Sequence, residues 1–132
     1  MALRINDGLR SYIVDSGVVG AIGTAGVLKI YEGTQPGTAG DAATGNLIVE
    51  ISGISWNAAT NGTAGITATK SGTAGTDGTA GWGRLSGTDG STYILDGDCG
   101  TATTNVFQVD SVAILEDAEV TLVSASIIQP AA

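Results

Sequence analysis

Two aspartates, Asp96 and Asp98, stand in the segment LDGDCGTAT with the spacing of the first two ligands of a calcium-binding loop. An EF-hand loop also needs glycine at its sixth position and glutamate at its twelfth, where this chain has Ala102 and Phe107. The pattern therefore favours a hairpin whose aspartates accept hydrogen bonds from their own backbone, and it predicts no metal site.

The chain lacks most of the residue types and motifs that enzymes commonly use for catalysis. It contains no histidine, which removes His-dependent triads, His-ligated metals and the commonest general base. The only Lys-Ser pair, Lys70 and Ser71, follows Thr69 where a phosphate-binding loop needs glycine. The acidic stretch 116–119 lies between two strand patterns, as a solvated turn does. We expect no catalytic residue, no cofactor and no enzyme activity.

Charge and cysteine content limit the partners. The formal net charge is −8, and the five cations are scattered, so we expect no contact with nucleic acid. The chain has no run of 18 apolar residues and no basic segment, so we expect neither a membrane span nor membrane binding. Cys99 has no partner for an internal disulfide and is expected to be a small, unreactive, semi-buried thiol.

Hydrophobic alternation with a period of two dominates from residue 26 onward. In one such segment Leu47, Val49 and Ile51 share a face, and Thr is abundant throughout. Short strands at even spacing with Gly- and Asp-rich connections predict an all-β fold, an antiparallel, jelly-roll-like β-sandwich of about seven or eight strands. The predicted strands are 26–33, 46–52, 65–72, 79–87, 92–97, 105–115 and 119–129.

The N-terminal part has a different character. Residues 1–14 predict a short helix or an arm, capped by Asn6 or Asp7. The glycine-rich segment 15–26 is predicted to be a linker. The chain is thus divided into an arm, helix and linker at 1–25 and a β-sandwich domain at 26–132.

The word GTAG occurs five times, but its copies are 14, 25, 10 and 6 residues apart. A solenoid or propeller needs a fixed period, so the word is interpreted as turn chemistry. The segment SGTDGST at 86–92 is the best hairpin candidate, and Asp-Gly pairs at Asp77 and Asp96 indicate further turns. Because aromatics are scarce, Trp56 and Trp82 are both expected in the core.

Six sequence landmarks together resemble small virion structural proteins of tailed bacteriophages. The resemblance implies a capsid decoration, or cement, protein of β-sandwich or jelly-roll type. The landmarks are MALRINDGLR at Met1–Arg10, GVLKIYEGTQP at Gly26–Pro36, ATGNL at Ala43–Leu47, GTAGWGR at Gly78–Arg84, DGDCG at Asp96–Gly100 and IIQP at Ile127–Pro130.

Such a protein would be made in the host cytoplasm, bind the outer surface of the virion head, and bridge and stabilise subunits of the major capsid protein. The low charge content also favours a homo-oligomer, a dimer or a trimer. The alternative is a tail, collar or fibre module that binds a host-surface glycan. The residues expected to contact the capsid are Leu3, Arg4, Ile5, Leu9 and Arg10 in the arm, and Gln35, Pro36 and Asp41 in the loop from Gly33.

Overall fold

The computed structural model describes residues 3–38 and 40–130. Residues 1–2, 39 and 131–132, which fall within the predicted segments, lie outside the described residues. The chain begins with helix and continues as β-structure, which confirms the predicted β class with a short N-terminal helix. The helices are α1 (Asp7–Ile13) and α2 (Gly20–Ile22), and the strands are β1 (Gly26–Glu32), β2 (Leu47–Ile54), β3 (Thr63–Gly65), β4 (Lys70–Thr73), β5 (Gly78–Ser86), β6 (Tyr93–Gly100), β7 (Phe107–Val109), β8 (Ala113–Ile114) and β9 (Glu119–Ile128).

The N-terminal helix starts where the sequence indicates and ends later. The Asn6 side chain accepts a hydrogen bond of 2.9 Å from the Leu9 N–H and so caps α1. The predicted linker is wrong, because a π-helical segment, Val14–Val19, joins α1 directly to α2. Val14 and Ile22 on this helical stretch are fully buried, and their burial offsets the poor helix propensity of the glycines.

The nine strands form one sheet in the order β2-β1-β5-β6-β7-β9-β3, with β4 also paired to β9 and β8 to β5. All pairs are antiparallel except β6 with β7, so the sheet is mixed and the prediction of a purely antiparallel fold is wrong at this pair. The predicted strand 105–115 is divided into β7, which pairs with β9, and β8, which pairs with β5. Next to β7 the Asp110 side chain still accepts from the Thr121 N–H of β9 at 3.0 Å. The predicted strand 65–72 is divided in a similar way into β3 and β4.

The sheet curls until β4 lies against β2. A side chain at Gly72 would meet the carbonyl oxygen of Glu50 at 2.5 Å, so the absence of a side chain permits this approach. Just beyond β4 the Gly75 N–H donates to the Ile48 carbonyl at 2.9 Å. The curl encloses a core of small aliphatic side chains with Phe107, formed mainly by Ile22, Leu28, Ile30, Ile48, Ile51, Ile54, Leu85, Val109, Val120 and Leu122.

The strand pairing gives the sheet two ends. At the helix end, β1 begins at Gly26, directly after the helices, opposite the last residue of β2 at Ile54. At the loop end, β1 finishes at Glu32 and the chain enters the connection 33–46. Because β1 has seven residues, the two ends are separated by about 20 Å of strand.

Candidate interaction surfaces

Tyr31 and Trp82 form the aromatic centre of the loop end. Their rings stack with centroids 4.6 Å apart and planes 14° from parallel, and their strands are adjacent. The Trp82 indole is buried and donates from Nε1 to the Thr44 carbonyl at 3.1 Å. Trp82 therefore lies in the core, as expected, and holds the connection 33–46 down on the sheet; Trp56 is half-buried at the edge of that core.

Arg84 extends this cluster into the sheet. Its guanidinium lies 5.3 Å from the Trp82 ring centroid. It forms a bidentate ion pair with Asp96, in which Nε donates to Oδ1 at 2.7 Å and Nη2 donates to Oδ2 at 2.9 Å. The prediction of a turn at Asp96 is wrong, because Asp96 lies within β6 opposite Arg84. The GTAGWGR and DGDCG landmarks thus contact each other through the Arg84–Asp96 ion pair, which has a structural role.

Asp98 forms a small hydrogen-bonded loop instead of the predicted hairpin. Its carboxylate accepts from the Val106 N–H at 2.8 Å and from Asn105 Nδ2 at 2.9 Å, and these bonds lower its pKa. They hold the connection 101–106, which lets β7 return parallel to β6. The part of the chain that the structure describes contains no cluster of three or more His, Cys, Asp or Glu side chains able to hold a metal.

Cys99 follows directly in the same strand. Its thiol is buried, and desolvation, helped by the negative charge of Asp98, raises its pKa to about 12. Its nucleophilic thiolate form is therefore scarce near neutral pH. The thiol is more fully buried than the semi-buried position that the sequence predicts.

The predicted loop residues lie together at the loop end. Gln35 and Asp41 are exposed, and Pro36 is half-buried. The connection that carries them is closed across its base, because Thr44 Oγ1 donates to the Thr34 carbonyl at 2.8 Å. These side chains are held in place by backbone contacts that leave two of the three in solvent.

The predicted arm residues lie at the opposite, helix end. Leu3, Arg4 and Leu9 are exposed, and Ile5 is half-buried. Arg10 differs, because its Nε donates to the Gln129 carbonyl at 2.9 Å and its Nη1 pairs with Asp7 at 2.7 Å. The residues expected to contact one partner therefore form two separate surfaces, and Arg10 attaches α1 to the end of β9.

Two features at the helix end were not predicted. Asn61 and Gly62, with φ of 51° and 77°, form the two-residue turn of a small hairpin in which Thr60 and Thr63 exchange backbone hydrogen bonds. The Gly62 N–H donates to Ser11 Oγ at 3.1 Å, so α1 is docked on this turn. The Asn-Gly dipeptide is the sequence signal that could have identified it. Tyr12, also unpredicted, is 67% exposed beside Leu9 on α1.

Formal charge is distributed very unevenly between the ends. The loop end carries eight carboxylates and no lysine or arginine, whereas the five remaining carboxylates and all five cations lie elsewhere and balance. The entire net charge of −8 therefore belongs to the loop end. Its carboxylates are Glu32, Asp41, Asp77, Asp98, Asp110, Glu116, Asp117 and Glu119.

The described residues enclose no pocket. No described helix has the length and apolar character needed to cross a bilayer. Comparison of the chain with protein-family models, with curated proteins and with solved structures finds no match.

Proposed function

We propose that this chain is a structural protein of a bacteriophage virion, a decoration protein that binds the outside of the head and stabilises the shell of major capsid protein. The observation that carries the proposal is the anchored helix α1 with large apolar side chains left in solvent. Leu9 and Tyr12 are 52% and 67% exposed, yet α1 itself is fixed to the sheet through Arg10 and Ser11.

That combination is characteristic of a binding surface. An apolar side chain on a loose terminus can fold back on its own core, whereas α1 is held with its outer face away from the sheet. Leu9 and Tyr12 are three residues apart and are neighbours on that face. Tyrosine is enriched where protein interfaces are buried, because it provides large contact area with few torsions to fix.

The rest of the molecule supports a structural role. The landmark residues contact one another within the sheet: Tyr31 stacks on Trp82, and Arg84 packs on Trp82 and pairs with Asp96. These contacts make the sheet a rigid support for the residues on its surface. We further propose that the curled sheet belongs to the sandwich or jelly-roll type, because the curl brings the backbone of β4 alongside that of β2 and so wraps the sheet around one core. We also propose that the protein acts as a dimer or trimer at a symmetry axis of the shell.

The glycan-binding alternative has less support. A sugar platform needs exposed aromatic rings, and Trp82 is buried under the connection 33–46. Tyr31 stacks on Trp82 and is half-buried. Among the tyrosine and tryptophan side chains that the structure describes, Tyr12 is the exposed one, and beside Leu9 it makes a small apolar patch, which fits a protein partner better than a carbohydrate.

The test uses undecorated heads of the virion that encodes the chain. Purified protein is expected to co-sediment with them, to saturate, and to raise the temperature at which the shells disrupt. Heads saturated with serum albumin and heads without addition are the controls. No co-sedimentation at protein concentrations well above those in an infected cell, or binding to host cells alone, would refute the proposal.

A further inference from the structure

We infer that the protein docks through its helix end onto an apolar patch of the shell that presents a carboxylate to Arg4, so that the loop end points away from the shell. This inference rests on the proposed function and specifies which end makes the contact. It follows mainly from the distribution of charge, because exposed large apolar side chains occur at both ends, with Leu47 and Leu115 at the loop end.

The helix end has the composition of an interface. Four large apolar side chains lie exposed there, on α1, on the segment before it and at the end of β9: Leu3, Leu9, Tyr12 and Ile128. The acidic groups at this end are already engaged, since Asp7 pairs with Arg10, Asp15 accepts from the Ala59 N–H, and Asp89 accepts from its own turn. Interface centres are depleted in charged groups because each one must be desolvated.

Arg4 supplies the charge complementarity. It is exposed and makes no hydrogen bond or ion pair with the described residues, so its guanidinium is available to a carboxylate on the partner. Arginine and a carboxylate can form two parallel hydrogen bonds, which fix the orientation of the docked protein. A patch with apolar groups beside one carboxylate matches Leu3, Arg4 and Leu9 together.

The loop end is unsuited to the same contact. Burying its eight carboxylates would need a strongly basic partner surface, and the resulting association would weaken steeply as salt screens it. Pointing away from the shell, these carboxylates remain hydrated. Their mutual repulsion also discourages stacking of a second protein layer on the first.

The experiment measures binding to undecorated heads by co-sedimentation for the wild-type protein and two variants, each of which loses exposed apolar side chains at one end of the molecule. The helix-end variant is Leu9→Ser with Tyr12→Ser, and the loop-end variant is Leu115→Ser, whose side chain is 69% exposed. None of these side chains is in the core, and circular dichroism with thermal melting checks that both variants keep the fold. Each measurement is repeated across a salt series.

We expect the helix-end variant to bind about tenfold more weakly or worse, the loop-end variant to bind like wild type, and wild-type binding to change little with salt. If the loop-end variant alone loses binding, or if binding collapses with salt, the docking end is wrong while the proposed function stands. If wild type does not bind at all, both are wrong.

A second copy of the chain is the competing occupant of the helix end. Sedimentation velocity of the same proteins distinguishes it. If the helix-end variant changes a dimer or trimer into a monomer but leaves head binding unchanged, then the helix end joins copies of the chain and the inference is overturned. Loss of head binding with an unchanged oligomeric state supports it.

Discussion

The Arg84 guanidinium and the Asp96 carboxylate form a bidentate ion pair in the middle of the sheet, and their side chains are only 1% and 4% exposed. The two residues face each other across β5 and β6, and the Trp82 ring covers the guanidinium. A charged pair in this position is kept from water, so its stability depends on both partners being present.

The first prediction concerns this pair. Replacing Asp96 by Leu, or Arg84 by Met, removes one charge of the buried pair and leaves the opposite charge uncompensated by it, and is expected to cost about 3–5 kcal/mol of unfolding free energy. The double variant Arg84→Met with Asp96→Leu should lose much less, because no uncompensated charge remains. Urea titrations of the three proteins measure the coupling, and equal losses in single and double variants would contradict it.

The second prediction concerns the repeated GTAG word. A Cβ at Gly81 would overlap the Gly33 carbonyl oxygen, which is backbone and cannot rotate away. Gly81→Ala is therefore expected to destabilise the fold by about 1–3 kcal/mol. The matched control is Gly37→Ala in another copy of the word, where a Cβ meets nothing within 4 Å. Thermal melting compares them, and similar shifts for both would show that the close approach at Gly81 is unimportant.

The difference between those two glycines shows what sequence reasoning could reach. Turn chemistry predicts the hairpin at 86–92, and the structure confirms it, with Asp89 accepting from the backbone of Ser91 and Thr92. Gly81 and Gly37 are the last and the first residues of two copies of the same word, but Gly81 lies inside β5 against another part of the chain. Local patterns predict local structure, and the role of Gly81 depends on a residue 48 positions away.

The strands are easier to predict from the sequence than the positions of the candidate contact residues. Period-two alternation and the flanking turn residues locate β1, β2, β5 and β9 to within about two residues. The separation of the predicted arm and loop contacts onto opposite ends depends on strand pairing, which a single sequence does not encode in any local pattern. The continuation of helix through residues 14–22 depends on burial against the sheet, which overrides propensity.

A third prediction concerns Cys99. Burial, with a smaller contribution from Asp98, raises the pKa of its thiol to about 12, against an ordinary value of 9.0. At pH near 8 the native thiol should react with iodoacetamide about a thousandfold more slowly than the thiol in the urea-unfolded chain. Mass spectrometry of timed samples follows the reaction. Comparable rates in the native and unfolded proteins would mean that the strand β6 opens readily.

The last prediction concerns acid. Hydrogen bonds to Asp89, first from the Thr92 hydroxyl and then from the backbone N–H groups of Thr92 and Ser91, lower its pKa from 3.8 to about 2. The folded pKa lies below the unfolded one, so the stabilisation from this carboxylate is fully present above about pH 4 and is lost as the pH falls toward 2. Asp98, whose pKa is also lowered, acts in the same direction.

The variant Asp89→Asn isolates this effect, because an amide oxygen still accepts from the turn but carries no charge. It should be less stable than wild type at neutral pH, and the difference should shrink as the pH falls toward 2, where the unfolded carboxyl group is protonated and the native one is becoming so. Urea midpoints at several pH values measure it, with the exposed Glu116→Gln as the control for removing one negative charge. A stability difference that stays constant down to that pH would show that the turn does not depend on the charge of Asp89.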